Sequence, residues 1–180
     1  MLTAVQVKPD VYWVGGVDWN ARSFHGYTTE DGITYNAYLI MDEKVTLIDT
    51  AKSTFKDEFL QRISAIVDPS KIDVLICNHV EMDHSGNIPT IKELAPNVQI
   101  YCSPMAVKEL TAHYGDLGYT PVKTGDTLSI GKRTLAFVVW AVCCVSPLNA
   151  SLRYALPLVV LLPVMWAGVA GVGGRWDTNK

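Results

Sequence analysis

An apolar segment that runs directly into a cluster of imidazole and carboxylate side chains constrains this chain more than any other feature. Residues 72–77 are almost entirely apolar, and a short run of this kind predicts a strand that is buried on both faces of a sheet. The next stretch, Asn78 to Gly86, places two histidines and two acidic residues within six positions. Because sites in layered α/β folds commonly lie where a strand ends, we expect the functional site here.

The candidate ligands of this stretch combine two chemical types. They are His79, Glu81, Asp83 and His84. Imidazole and carboxylate together, without a thiolate, favour iron, manganese or zinc. Neighbouring side chains diverge, so four ligands this closely spaced do not easily reach one ion, but in a loop they can serve two adjacent ions in pairs. We therefore predict a dinuclear site on a loop that ends at Gly86; a surface loop with scattered polar residues is the alternative.

The order His-x-Glu-x-Asp-His, after a buried strand and before glycine, resembles the metal loop of the metallo-β-lactamase fold. Most hydrolases of that fold carry histidine where Glu81 stands, and the glutamate form resembles the flavodiiron proteins. Those proteins hold two irons and reduce dioxygen or nitric oxide. An added anionic oxygen ligand hardens the site and stabilises ferric iron, which suits redox chemistry. The resemblance implies one iron on His79 and Glu81, and the other on Asp83 and His84.

Two earlier segments carry the same resemblance. Residues 19–26 match a family loop whose histidine lies beside the di-iron pocket, which implies a catalytic role for His25; an exposed loop histidine is the alternative. The strand pair that ends in Leu-Ile-Asp-Thr also resembles the opening of the fold. It implies that Asp49 supports the neighbouring loop and does not bind metal itself.

The rest of residues 1–138 alternates between strand and helix patterns. The β-rich runs 34–41 and 45–49 predict a hairpin, whereas 18–32 reads as an irregular loop. We expect a helix capped by Ser53 or Thr54, a second helix after Asn87 and a third capped by Ser103. This order predicts an α/β fold, a metallo-β-lactamase-like αββα sandwich that is incomplete at its C-terminus.

The tail, residues 139–180, differs in character from the preceding domain. It contains no histidine and only four charged residues. The family's third and fourth histidine ligands and its bridging aspartate, expected after Val138, are not found there. Tyr154 to Val172 carries no charge and approaches the length of a membrane span, so a membrane anchor is one explanation of the tail, but Pro157 and Pro163 interrupt the segment and make it a disfavoured one. A core segment of a divergent domain is a second explanation. We favour a third, in which a reading-frame shift or mis-joined gene produced the tail.

Composition limits the partners and the compartment. The net charge is −3 and there is no basic cluster, so we expect no nucleic-acid partner. Four cysteines show neither zinc-finger nor disulfide-framework spacing, and the N-terminus lacks a secretory pattern, which predicts a cytoplasmic protein.

The resemblance implies a di-iron oxidoreductase domain whose intact relatives carry FMN in a downstream domain and form homo-oligomers. Their electrons come from a donor such as rubredoxin or a flavin reductase. With the later ligands and the flavin domain missing, we expect a truncated, impaired form that binds iron weakly. The alternatives are a metal-dependent hydrolase of the same fold and a degenerate, non-catalytic metal-binding module.

Overall fold

The computed structural model describes residues 2–24 and 26–139, together with the backbone of residues 158–161. Its four α-helices are α1 (Lys56–Ser64), α2 (Met82–Ser85), α3 (Ile88–Leu94) and α4 (Pro104–Tyr114). Short 3-10 turns lie at Ser53–Phe55 and Pro69–Lys71. The strands in chain order are β1 (Val5–Lys8), β2 (Val11–Trp13), β3 (Gly16–Asp18), β4 (Ser23–Phe24), β5 (Tyr27–Thr28), β6 (Ile33–Tyr35), β7 (Tyr38–Ile40), β8 (Thr46–Ile48), β9 (Val74–Ile76), β10 (Gln99–Cys102), β11 (Tyr119–Pro121), β12 (Thr127–Ser129), β13 (Thr134–Val139) and β14 (Leu158–Leu161).

A seven-stranded mixed sheet organises the described residues. Its strands lie in the order β1, β2, β7, β8, β9, β10, β11. The pairs from β1 to β8 are antiparallel, and those from β8 to β11 are parallel. Parallel strands end at a common edge of the sheet, so the segments after β8 and after β9 meet there.

Side chains alternate between the two faces of this sheet, as the period of a strand requires. On β8, Leu47 packs toward the helices while Ile48 faces the second sheet, and Leu75 and Ile76 repeat the pattern on β9. All four are essentially buried. Full burial of each such side chain contributes about 1.5–3 kcal/mol to the stability of the fold. Strands β8 and β9 are therefore firmly anchored in the core, and the loop that follows β9 starts from a fixed position.

The two faces of the central sheet are covered differently. Helices α1, α3 and α4 cover one face through Phe59, Ile91 and Leu110, all of them fully buried. On the other face lies a second, antiparallel sheet of β12, β13 and β14, from which Leu135 and Phe137 enter the core. The described residues therefore form helix, sheet and sheet layers, as expected of the α/β sandwich.

Two of the strand predictions were wrong in detail. The predicted strand 34–41 divides into β6 and β7, because the chain leaves one sheet for another between Tyr35 and Tyr38. At the break, Asn36 accepts a hydrogen bond from Trp13 Nε1 at 2.9 Å. The segment 18–32, predicted as an irregular loop, contains the short β4–β5 hairpin. The hairpin of β7 and β8 is confirmed, with Tyr38 opposite Ile48.

Of the two predicted helix caps, one is wrong and one is confirmed. Neither Ser53 nor Thr54 caps α1: a 3-10 turn precedes the helix, and no side-chain cap bond forms at either start. The predicted cap of α4 is confirmed, since Ser103 accepts a hydrogen bond from the Ala106 N–H at 3.2 Å. Pro104 follows at the first helical position, where its missing N–H costs nothing.

Most of the segment 154–172, weighed above as a membrane span, lies outside the described residues. Only the backbone of β14 is described there, and it pairs antiparallel with β13. Among the helices of the described part of the chain, none combines the length and apolar character needed to cross a bilayer. The division into residues 1–138 and a tail of different origin stays a prediction.

Candidate metal centre

Asp49, the residue that follows β8, fixes the start of the metal loop. Its backbone turns at φ = 54°, a left-handed conformation that aspartate tolerates better than most residues. The turn directs the carboxylate at the neighbouring loop, where Oδ1 accepts hydrogen bonds from the N–H groups of Asn78 at 2.7 Å and His79 at 3.3 Å. The structure therefore places Asp49 in the supporting position that the sequence predicted.

The second half of the motif is helical and not an open loop, which corrects the prediction. Asp83 and His84 lie on α2, a single turn that Glu81 begins by accepting hydrogen bonds from the N–H groups of His84 and Ser85. Helix α3 then starts at Ile88, directly after Asn87 as predicted. The turn brings Asp83 back toward the residues that precede it.

Three of the four predicted ligands converge. His79, Glu81 and Asp83 each offer one ligand atom within 4.8 Å of the other two. His79 Nε2 lies 3.4 Å from Glu81 Oε2. Ligand atoms about 2.1 Å from an ion on opposite sides stand roughly 4.2 Å apart, so this group fits one divalent ion after small movements.

The fourth predicted ligand, His84, stands beside this group and not within it. Its Nε2 lies 3.6 Å from Asp83 Oδ2, and its ring is 5.4 Å from that of His79 in an edge-to-face arrangement. Its Nδ1 lies 3.8 Å from Asp49 Oδ2, is buried and has no hydrogen-bond partner among the described atoms. The Asp83 carboxylate thus reaches both the three-ligand group and His84, which suits a second ion next to the first.

Burial shifts the pKa values of Asp49 and of the candidate ligand His84. It raises the pKa of Asp49 to about 8, although the hydrogen bonds from Asn78 and His79 act in the opposite direction. Burial likewise lowers the pKa of His84, with Asp83 opposing it. The His84 imidazole is therefore favoured in its neutral form, which is the form that binds metal ions.

A cavity of about 410 Å³ opens beside Asp83. Its wall includes Asp18, Tyr35 and Lys52, and Met82 at its edge is 60% exposed. The Tyr35 hydroxyl donates a hydrogen bond to Asp18 Oδ2 at 3.0 Å, and burial together with this bond raises the pKa of Tyr35 to about 12. Sequence reasoning missed these wall residues, since no local pattern connects them to a loop some 30 or more residues away.

Two other histidines have separate outcomes. His25, predicted to lie beside the metal pocket, is outside the described residues, so its catalytic role stays a prediction. His113 lies exposed on α4, next to Tyr114 and away from the metal loop in sequence.

Comparison with known sequences places these features in a family. Residues 33–144 match the ODP family beta lactamase. A protein named nitric oxide reductase from Moorella thermoacetica is 47% identical over 142 residues, which is 77% of this chain and 36% of that relative. A rubredoxin-oxygen oxidoreductase from Megalodesulfovibrio gigas is 44% identical over 139 residues, or 76% of this chain and 35% of the relative. The chain thus spans little more than a third of these relatives.

Solved structures agree. The flavodiiron protein from Giardia intestinalis superposes with a TM-score of 0.78 at 36% identity, covering 91% of this chain and 38% of that one. For the rubredoxin oxygen:oxidoreductase from Desulfovibrio gigas the TM-score is 0.77 at 38% identity, covering 90% and 39%. The metallo-β-lactamase-like fold and the resemblance to flavodiiron proteins are confirmed.

Proposed function

The chain belongs to the ODP family of beta lactamases, and on that premise we propose that it is the di-iron part of an oxidoreductase that reduces dioxygen or nitric oxide. The convergence of His79, Glu81 and Asp83 within 4.8 Å is the observation that carries this proposal. The printed names of the relatives, which are nitric oxide and oxygen reductases, support the reaction.

The proposed ligands divide between two ions. His79 and Glu81 would hold one iron, and Asp83 and His84 would hold the other. The contact between Asp83 Oδ2 and His84 Nε2 at 3.6 Å supports this division, and the approach of Asp83 to His79 and Glu81 keeps the two positions adjacent. Two iron ions held there would offer open positions for a diatomic gas and share the electrons that its reduction requires.

The chain's own residues would contribute orientation and protons. Asp49 accepts a hydrogen bond from the backbone N–H of His79 and so helps to position the main chain of this proposed ligand. Reduction of two nitric oxide molecules to nitrous oxide and water consumes two electrons and two protons. Lys52, on the cavity wall beside Asp83, offers an ammonium group from which Nζ can give a proton.

The electron supply lies outside these residues. We propose that FMN would supply electrons to the irons, from a domain corresponding to the part of the relatives that this chain does not span, and that a donor such as rubredoxin or a flavin reductase would reduce the FMN. In the proposed homo-oligomer the flavin of one subunit would serve the irons of another. A cytoplasmic location fits the described thiols of Cys77 and Cys102, which are free.

A single-turnover experiment tests the proposal without a flavin. The full chain is loaded anaerobically with ferrous iron, freed of unbound metal and mixed with nitric oxide, and nitrous oxide is measured by gas chromatography. Two ferrous ions supply the two electrons required, so we expect about one nitrous oxide per two bound irons, and little from the Glu81→Gln variant. The exposed-histidine variant His113→Gln is the matched control and should behave like the wild type.

Two other results would redirect the proposal. Nitrous oxide yields that are equal in Glu81→Gln and the wild type would contradict it, because free or misplaced iron would then explain the reaction. A zinc-loaded chain that hydrolyses an ester or thioester, with no gas reduction by the iron form, would favour the hydrolase. We also expect iron to be held weakly or below two per chain; two tightly held irons would show that expectation wrong.

A further inference from the structure

Helix α2 is too short to hold its own shape, and the segment after β8 holds it in place. A single helical turn carries the full cost of helix nucleation and gains almost nothing from propagation. We propose that Thr50 and Asn87 are positioning residues that fix this turn, and that iron affinity depends on their side-chain hydrogen bonds. The inference rests on the proposed metal site, because the turn carries Asp83 and His84.

Thr50 binds the turn at its C-terminal end. The carbonyl oxygen of His84 accepts two hydrogen bonds from Thr50, one from the hydroxyl at 2.7 Å and one from the backbone N–H at 2.8 Å. Thr50 is completely buried, so neither group has water as an alternative partner. A shift of the His84 backbone would therefore leave buried polar groups unsatisfied.

Asn87 closes the same connection from the other side. Its backbone N–H donates to the Thr50 hydroxyl at 3.1 Å, while its side-chain amide donates to the carbonyl oxygens of Ala51 at 2.7 Å and Lys52 at 3.2 Å. Only 1% of its surface is exposed. His84 and Asn87, which lie on either side of Gly86, are thus hydrogen-bonded to one short segment, residues 50–52.

Gly86 allows the close approach that these bonds require. A Cβ atom at this position would lie 2.5 Å from the Met82 carbonyl oxygen and 2.9 Å from the Ser53 nitrogen, closer than real Cβ contacts come. The turn therefore packs backbone against backbone on segment 50–53. Ser85 adds a bond to the loop that precedes α2, since its hydroxyl donates to the Val80 carbonyl oxygen at 2.7 Å.

These hydrogen bonds bear on ligand placement because they end on the backbone of the segment that carries the proposed ligands. The acceptor in the Thr50 bonds is the carbonyl group of His84, a proposed ligand, and Asp83 is its neighbour. Loss of the Thr50 hydroxyl would remove one of the two bonds to the His84 carbonyl and leave the buried Asn87 N–H without its acceptor, while the large apolar core stays intact. Partners of this kind typically change metal affinity by about 10-fold to 100-fold when they are removed.

The test compares two buried hydroxyl groups in the full chain. Thr50→Val removes the hydroxyl from the turn, and Ser103→Ala removes a buried hydroxyl that caps α4, away from the loop. We expect both variants to lower the unfolding temperature of the metal-free chain. In an anaerobic titration with ferrous iron, Thr50→Val should bind about 10-fold to 100-fold more weakly, whereas Ser103→Ala and Thr50→Ser should match the wild type.

The outcomes separate this inference from the metal site itself. Equal iron affinity in Thr50→Val and Ser103→Ala overturns the positioning role while the site survives. Absence of iron binding by the wild-type chain overturns both. If Thr50→Val does not fold, the titration is read on Asn87→Ser, which keeps the Thr50 hydroxyl in place: weaker binding supports the inference, and unchanged binding overturns it.

Discussion

The metal loop and the cluster around Arg133 are both rich in charged side chains, but the carboxylates of the two regions have different neighbours. Arg133 reaches Asp42 at 2.9 Å and Asp10 at 3.2 Å, and the Asp42 carboxylate also accepts N–H bonds from Glu43 and Lys132. Every acid in that cluster faces a cation or donor. In the metal loop, the carboxylates of Glu81 and Asp83 converge with each other and with the His79 imidazole.

The supporting acids of the two regions show the same contrast. Burial works to raise the pKa of Asp42, but its hydrogen bonds and Arg133 outweigh that effect and hold the pKa below its ordinary value. Burial raises the pKa of Asp49 to about 8. We infer that the Arg133 cluster stabilises the fold, because it joins the second sheet to the β1–β2 and β7–β8 turns. The metal loop, in contrast, lowers the stability of the metal-free chain, because its clustered carboxylates await a bound cation.

Removing the cation should damage the Arg133 cluster most. Arg133→Met leaves the covered Asp42 carboxylate without its ion-pair partner, and we expect a loss of about 1–3 kcal/mol in the free energy of unfolding. Urea unfolding of the metal-free chain measures this. The neighbouring exposed Lys132→Met is the control and should change stability by no more than about 0.5 kcal/mol. Equal effects of the two variants would contradict the stabilising role of the cluster.

The pH dependence of stability should locate the charge on Asp42. The ordinary pKa of an aspartate such as Asp42 is 3.8, and the pKa of Asp42 is lower in the folded chain. The stability that its ionised carboxylate provides is therefore present above pH 3.8 and is lost as the pH falls through the folded pKa. The advantage of the wild type over Asp42→Asn should be constant at neutral pH and should shrink below about pH 4. Urea unfolding from pH 7 to pH 3 tests this; an advantage that grows on acidification is the contrary result.

In the metal loop, removal of a carboxylate charge should increase the stability of the metal-free chain, opposite to the effect expected in the Arg133 cluster. Asp83→Asn relieves repulsion with Glu81 and should stabilise the metal-free chain by about 0.5–1 kcal/mol. The same change should weaken ferrous iron binding by about tenfold or more. Urea unfolding and iron titration measure the two effects, with the exposed Asp31→Asn as control. An Asp83→Asn chain that is less stable and still binds iron normally would remove the contrast between the regions.

The exposed edge of the Arg133 cluster should matter least. The Asp10 side chain is 54% exposed, and asparagine also tolerates its left-handed backbone at φ = 62°. Asp10→Asn should therefore cost no more than about 0.5 kcal/mol. The difference from the wild type should fade in 1 M salt, where screening acts within about 3 Å. A larger, salt-independent loss would show that Asp10 acts as a buried partner.

Local sequence patterns predicted the main elements and the stretch in which three candidate ligands converge, because both depend on nearby residues. The apolar run before Asn78 and the spacing of His79, Glu81 and Asp83 place a strand end and its ligands within a few positions. The Ser103 cap followed the same local logic, since its bond reaches only to Ala106.

Features that depend on distant contacts were not predictable in this way. The chain breaks between β6 and β7 because the two strands join different sheets, which no alternation pattern in 34–41 reveals. The Thr50 and Asn87 bonds connect residues 34 to 37 positions apart. The α2 turn is a product of those connections, so a loop was the natural prediction from the ligand spacing alone.

Iron binding by a single-histidine variant tests the central claim most directly. The full wild-type chain, His79→Gln and the exposed His113→Gln are each titrated anaerobically with ferrous iron, and bound iron is measured after removal of free metal. We expect the wild type and His113→Gln to bind iron alike and His79→Gln to bind it at least about tenfold more weakly. Equal binding by His79→Gln and His113→Gln would contradict the metal centre proposed at the end of β9.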